Sequence, residues 1–365
     1  MTIRGAVVIG TGLIGTSVAL ALRGHDVQVW LTDTNEASLK LAVSLGAGDP
    51  LPPLVEHSRP SQTRMFHDPV DLAVIAVPPA AVAGILAGAQ ARQLARVYTD
   101  VASVKGLPTE QARTAGCDMT SFVPGHPLAG RERHGPAAAR ADLFLGRTWA
   151  LCPSDVTSPR ATETVMELIR LCGGDPVTTD PDTHDQWVAL ISHAPHVVAA
   201  AMAARLEHAP PDALALAGQG LRDTTRIAAG DPTLWKQILA ANATPVSRVL
   251  AEVAADLAEV ARALAADPGT AGKLLERGRA GVTRIPGKHG EVPRPLAVVQ
   301  VVIRDQPGEL ARLFNAAGDA GVNIEDIRIE HSPGLPVGVA ELSVRPAEVP
   351  ALVAAMESGG WHARG

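Results

Sequence analysis

The sequence predicts an α/β fold that opens on a doubly wound parallel sheet, continues through an all-helical region and ends in a small α+β module. Three observations predict it. The apolar run Val7-Val8-Ile9 breaks into Gly10-Thr11-Gly12-Leu13-Ile14-Gly15, three glycines spaced for a turn between a strand and a helix. Apolar runs then alternate with helical periodicity up to about residue 180. From Asp182 to about Ala266 strand candidates cease, and they return only after residue 295.

The glycine stretch carries the first chemical expectation. Gly10 allows the tight turn, Gly12 lets the backbone approach a pyrophosphate, and Gly15 lets the helix pack closely on the strand. The helix over Leu13 to Leu22 would offer free N–H groups and a positive dipole end to phosphates. A second strand, Val27 to Leu31, follows Gly24, and Asp33 closes it about twenty residues past the glycines, where an acidic residue holds the ribose hydroxyls. No Arg or Lys occurs between Asp33 and Lys40, so nothing waits for a 2′-phosphate. A Rossmann-type domain over residues 1–180 that binds NAD rather than NADP is the expectation. Gly10, Thr11, Gly12, Leu13, Ile14, Gly15 and Asp33 are its candidate cofactor residues.

The remaining elements follow in order. A helix over Ala37 to Leu45 stops at Gly46, and a proline-rich loop covers Pro50 to Pro60. Leu72 to Val77 is an apolar strand closed by Pro78-Pro79, so Val77 and Pro78 lie at the edge where dinucleotides sit. A helix to about Arg92, a strand over Arg96 to Thr99 and the loop Asp100 to Gly106 come next. Thr120 to Val123, Thr148 to Cys152, a helix over Thr162 to Leu171 and Pro176 to Thr178 complete the doubly wound sheet. Residues 181–267 read as four or five helices, with Asp231-Pro232 a strong helix start. Helices without strong polar faces are usually covered by a partner, which points to a homodimer. The glycine- and proline-rich residues 268–295 read as a linker. Residues 296–365 show the order β-α-β-β-α-β of a ferredoxin-like module.

Composition narrows the function classes. The 365 residues suffice for two or three domains, and 46% are hydrophobic. A net charge of −6 without a basic run argues against nucleic acid, and the scatter of Lys40, Lys105, Lys236, Lys273 and Lys288 against a polybasic membrane patch. Cys117, Cys152 and Cys172 share no CxxC spacing and read as reduced apolar residues. No apolar run reaches spanning length and no charged leader precedes the first strand, so a cytoplasmic chain without a membrane segment is expected.

Three stretches could carry chemistry. Ser103 and His126 lie on loops at the sheet edge. A lone loop histidine is commonly a surface residue, but Gly125-His126-Pro127 is a stiff setting in which a neutral imidazole could accept a hydroxyl proton. In His184-Asp185 through His196, the residues His184, Val188, Ser192 and His196 step by four and share a helix face, either as core histidines or as a pocket. A metal site is not expected, because no acidic or cysteine ligand completes His193 and His196. Arg226, beside Ile227 and Ala228, suits either a substrate carboxylate or an ion pair with Asp223.

Together these residues resemble the prephenate dehydrogenase family of tyrosine biosynthesis. The resemblance rests on Gly10-Thr-Gly12-Leu-Ile-Gly15, Asp100…Ser103-Val-Lys105-Gly106, Gly125-His126-Pro127-Leu-Ala-Gly130, Ser192-His193-Ala-Pro195-His196 and Asp223-Thr-Thr-Arg226-Ile-Ala…Asp231-Pro232…Trp235. It implies oxidative decarboxylation of prephenate to 4-hydroxyphenylpyruvate with NAD⁺. His126 is then the catalytic histidine, Ser103 orients it, Arg226 binds a substrate carboxylate, and Ser192 and His196 line the pocket. Arg131 stands where a small hydroxyl residue is common and would add positive charge near the substrate, which leaves arogenate open as the alternative. Asp305-Gln-Pro307-Gly308 and Asn323 resemble an ACT domain, implying an amino-acid effector, tyrosine, held by Asp305, Gly308 and Asn323. Two other readings are a β-hydroxyacid dehydrogenase and a non-catalytic sensor. The first is opposed by the absence of Lys from His184 to Glu207, the second by the co-occurrence of His126, Ser103 and Arg226.

Overall fold

The computed structural model describes residues 3–52, 68–130, 134–264, 267, 269–285, 295–331 and 336–365. Arg131, most of the proline-rich loop and the end of the expected linker lie outside the described residues. The chain divides into two compact units, Met1–Ala255 and Asp256–Gly365.

The first unit begins with β1 (Gly5–Ile9), α1 (Leu13–Arg23), β2 (Gln28–Thr32), α2 (Glu36–Ser44) and β3 (Asp49–Pro50). It continues through β4 (Val70–Ile75), α3 (Val82–Ala91), β5 (Ala95–Asp100), α4 (Gly106–Thr114) and β6 (Phe122–Val123). These strands form one parallel sheet in the order β3-β2-β1-β4-β5-β6. The order reverses between β1 and β4, and that switch point is where open α/β sheets bind ligands, beyond the strand carboxyl ends. Val7, Val8, Leu72, Val74 and Ile75 are fully buried, as a sheet covered on both faces requires. Each such side chain contributes about 1.5–3 kcal/mol by leaving water.

The next strands depart from the expected sheet. β7 (Gly125–Pro127), β8 (Thr148–Leu151) and β9 (Asp175–Thr178) form a separate three-stranded sheet, with α5 (Pro159–Leu171) between β8 and β9. Pro124 explains the break: it has no N–H to extend the β6 ladder, and its carbonyl accepts from Cys152 N at 2.9 Å. The chain leaves the parallel sheet there, and β7 pairs antiparallel with β8.

The helical region comprises α6 (Pro181–Val188), a π-helical turn (Ala189–His193), α7 (Ala194–Ala203), α8 (Pro211–Ala215), α9 (Gln219–Thr225), α10 (Pro232–Ala241) and α11 (Ala243–Ala263). Asp231 caps α10, accepting from Thr233 N at 2.8 Å, with Pro232 in its first turn, as the sequence led us to expect. One expectation needs correcting. The continuous helical stretch Pro181–Leu206 has 26 residues, and an 18-residue window within it reaches a mean hydropathy of 1.4, which by length and composition alone is enough to cross a membrane. Its apolar residues are interrupted by His184, Asp185, His193 and His196, so it does not read as a run. All four interrupting side chains are buried against the rest of the unit.

The second unit holds α12 (Gly269–Val282), so the stretch read as a linker contains a helix, and its glycines interrupt but do not prevent it. Then come β10 (Ala297–Arg304), α13 (Glu309–Asp319), β11 (Asp326–His331), β12 (Val337–Val344), α14 (Val349–Ser358) and β13 (His362–Arg364). The strands form an antiparallel sheet in the order β11-β12-β10-β13. Val299, Val301, Leu313, Ala340, Leu342, Leu352 and Met356 make its core.

Candidate active site

Around the carboxyl edge of the parallel sheet the structure assembles two adjoining sets of groups. The first is the glycine turn after β1. Gly10 has φ +102°, and a side chain there would run into the Ala76 carbonyl, so only glycine fits. Nothing lies within 4 Å of where a Gly12 side chain would stand, and no side chain caps α1. The first N–H groups of α1 therefore face open space with the positive end of its dipole. Asp33 lies beside this turn, accepting from Thr11 N at 2.6 Å and Thr11 Oγ1 at 2.8 Å. Asn35 N donates to the other carboxylate oxygen, Oδ1, at 2.7 Å, so of about four lone-pair sites one remains for a ribose hydroxyl. Val77 borders Gly10, and Pro78 follows it. An uncapped helix start, a side-chain-free approach and an acidic side chain suit a dinucleotide.

The second set centres on His126. Asp100, at the end of β5, and Lys105, at the start of α4, are both fully buried and form an ion pair. Asp100 Oδ1 accepts from Gly125 N at 3.2 Å, and Lys105 Nζ donates to Gly125 O at 2.6 Å. Removing one partner of such a pair would leave an uncompensated buried charge, a cost of about 3–5 kcal/mol. The pair thus fixes both backbone polar groups of the residue before His126. His126 lies half-buried in β7, just past the parallel sheet, and Ser103 lies half-buried in the loop bounded by Asp100 and Lys105.

The helical region meets this edge. His126 Nδ1 is 3.0 Å from His184 Nε2, and His184 Nδ1 is 2.8 Å from Asp185 Oδ1. The Asp185 carboxylate in turn accepts from the backbone N–H groups of Lys105 at 2.8 Å and Gly106 at 2.9 Å. Burial first, and then the neighbouring His184, Lys105 and His193, push the His126 imidazole well below the usual histidine range. His126 is therefore neutral at neutral pH, as a proton acceptor must be.

Further along the helix the π turn shifts the register, so the expected four-residue stepping is not kept. His193 and His196 are both buried, and Ser192 is half-buried. His193 is driven down to about 4, mainly by burial, and its Nδ1 lies 3.1 Å from Asn242 Nδ2. The same Asn242 amide donates to the Asp185 carbonyl at 2.8 Å. The His196 ring stacks on Trp235 with centroids 3.5 Å apart. Burial also lowers the His196 pKa. Arg226 is exposed at the junction of α9 and a short 3₁₀ turn (Arg226–Ala229), which packs against α7, the helix that carries His196.

The structure thus brings His126 and Ser103 to one edge and joins them to the histidine helix. Asn242 was not singled out from sequence, and Asp100, Lys105, His184 and Asp185 were noted only as members of motifs, without an assigned role in the site. Lysine and aspartate at full burial have no local signature, although the adjacent His184-Asp185 pair was visible. In the second unit the three effector candidates separate. Asn323 lines a hollow of about 370 Å³ with Phe314, Val322 and Ile327, and its amide donates to Glu325 Oε1 at 2.9 Å. Asp305 and Gly308 precede α13 and are not among the lining residues.

A parallel sheet with a bare glycine turn, an acidic side chain beside it and a neutral, half-buried histidine just past its carboxyl edge is the arrangement of a dinucleotide-dependent dehydrogenase. Comparison with known proteins specifies the group. Residues 18–178 match the family description "Prephenate dehydrogenase, nucleotide-binding domain", and residues 180–276 match "Prephenate dehydrogenase, dimerization domain". A probable prephenate dehydrogenase of Streptomyces niveus is 40% identical over 372 residues, covering 99% of each chain. The cyclohexadienyl dehydrogenase of Zymomonas mobilis is 32% identical, covering 72% of this chain and 89% of its own. The crystal structure of Aquifex aeolicus prephenate dehydrogenase with hydroxyphenyl propionate and NAD⁺ superposes with a TM-score of 0.66 at 25% identity, covering 77% of this chain and 98% of that one. This chain belongs to the prephenate dehydrogenase family, and it is an NAD-dependent enzyme.

Proposed function

We propose that His126 is the proton acceptor in the NAD-dependent oxidative decarboxylation of prephenate to 4-hydroxyphenylpyruvate. The observation that carries this is the placement of His126: neutral, tied through Gly125 to the Asp100–Lys105 pair, and beside the edge where the dinucleotide turn opens. NAD⁺, when bound through the Gly10–Gly15 turn and Asp33, supplies the hydride acceptor. His126 takes the proton of the ring hydroxyl as the carbon bearing it is oxidised. Loss of CO₂ then returns an electron pair to the ring, giving the aromatic phenolate, and the proton passes back from His126 to that oxygen. No net proton is released at the histidine. Aromatisation supplies much of the driving force, so the protein mainly positions the ring and handles one proton.

The other residues take supporting roles in this reading. Ser103 orients the hydroxyl against His126, Arg226 pairs with a substrate carboxylate, and Ser192 and His196 line the pocket. By the family resemblance, Arg131 is assigned to the substrate-binding residues as well. The half-exposed apolar residues Trp187, Leu190, Ile191 and Met202 on the helix that carries the histidines support a homodimer formed through this region. The β-α-β-β-α-β order and the sheet order of the second unit support a ferredoxin-like, ACT-type regulatory module that takes an amino acid, most simply tyrosine as end product. The whole reads as a cytoplasmic biosynthetic enzyme. The direct test follows NADH formation with NAD⁺ and either prephenate or arogenate. Higher kcat/KM with prephenate is expected. Turnover of arogenate alone would reassign the substrate, and turnover of neither would remove the catalytic reading.

A further inference from the structure

We propose that His184 and Asp185 are positioning residues that hold His126 in the tautomer with its proton on Nδ1, leaving Nε2 as the acceptor. The inference rests on His126 being the base and concerns how that base is kept ready. An imidazole in the wrong tautomer would present an N–H to the substrate hydroxyl and could not take its proton.

The hydrogen bonds decide the tautomers in sequence, starting from the group whose role is fixed. Asp185 is an acceptor: its two carboxylate oxygens receive the N–H groups of Lys105 at 2.8 Å and Gly106 at 2.9 Å, at the positive start of α4. His184 Nδ1, 2.8 Å from Asp185 Oδ1, must therefore carry a proton and donate it. In a neutral ring the other nitrogen, His184 Nε2, is then a lone pair. His126 Nδ1, 3.0 Å from that lone pair, must carry its own proton, which leaves the lone pair of His126 on Nε2. The reverse assignment would set two lone pairs against each other at one of these contacts. Asn242 holds the start of the relay by donating to the Asp185 carbonyl at 2.8 Å, and the two imidazoles meet edge to face at 73°. When His126 gains a proton on Nε2, its Nδ1–H bond to His184 persists, so the base can be loaded and unloaded without rotating.

The test combines spectroscopy with kinetics. In ¹⁵N-histidine-labelled enzyme, the His126 signal, assigned by its loss in His126→Asn, is expected to show a protonated Nδ1 and an unprotonated Nε2. Asp185→Leu removes the acceptor that fixes the His184 proton on Nδ1, so neither imidazole tautomer is held any longer. It is expected to let the His126 proton populate Nε2 and to lower kcat by about 10-fold or more, with NAD⁺ affinity unchanged. His184→Phe should lose turnover, and His184→Gln, which can still accept from His126 and donate to Asp185, should recover most of it. The wild-type spectrum needs no variant to fold. A wild-type His126 protonated on Nε2 would overturn the proposal. So would Asp185→Leu enzyme with the tautomer and kcat of the wild type. An active His126→Asn enzyme would instead remove the base assignment and leave the tautomer result standing.

Discussion

At the scale of single residues, the site depends on charges taken out of water and then individually satisfied. Asp100 and Lys105 are fully buried yet fully engaged, and what they hold is the peptide of Gly125. His126 inherits both its place and its low basicity from this setting. In the proposed mechanism its neutral form is the base, and that form persists at every pH above its depressed pKa. Burial, first among the causes, lowers that pKa, so the acid limb of kcat/KM should have its midpoint clearly below the ordinary histidine value of about 6.5. A pH–rate profile checks this, and a midpoint at or above that value would contradict it. Arg226 belongs to the same scale. Arg226→Ala should raise the KM for prephenate by about 10- to 150-fold, the equivalent of a charge-assisted bond worth about 1.5–3 kcal/mol. An unchanged KM with reduced thermal stability would mark the arginine as structural.

At the scale of elements, the histidine helix does two jobs that its sequence half conceals. It presents His184 and Asp185 to the sheet domain, and after one π turn it presents His193 and His196 to α10. Gly230 secures the second contact: a side chain there would stand 2.6 Å from Trp235 Nε1 and 3.0 Å from His196 Cε1. Gly230→Ala should therefore separate the stacked rings, lowering stability by about 1–3 kcal/mol with a loss of turnover. A melting curve and an activity assay on that variant check it, and wild-type values for both would contradict it. These elements also show how far sequence could be read. The glycine turn, Asp33, five of the six strands of the parallel sheet and the capped start of α10 each have local physical causes, so they were legible, whereas the two-residue β3 (Asp49–Pro50) reads as loop. Pro124 could have announced the break into a second sheet, but strand partners are set by non-local pairing, which periodicity does not record. The helix Gly269–Val282 formed despite its glycines, whose cost of about 1 kcal/mol each only weakens a helix. The imidazole partner of His126, His184, lies 58 positions away, and no spacing rule reaches that far.

At the scale of the whole molecule, the proposed reading gives catalysis to the first unit and regulation to the second. If the second unit senses tyrosine, tyrosine added to the full-length enzyme should lower kcat without raising the KM for prephenate in proportion, through about 1–3 kcal/mol of coupling. Steady-state inhibition patterns test this, and purely competitive inhibition would place tyrosine in the active site instead. The central claim concerns the chemistry that both units serve: a neutral, fixed His126 accepts the substrate's hydroxyl proton. The measurement that reaches it most directly is the turnover of His126→Asn with prephenate, taken together with a titration of the same variant with NAD⁺. The predicted result is a fall in kcat of about 10²- to 10⁴-fold with NAD⁺ affinity essentially unchanged. Near-normal turnover in a variant that binds NAD⁺ normally would contradict it.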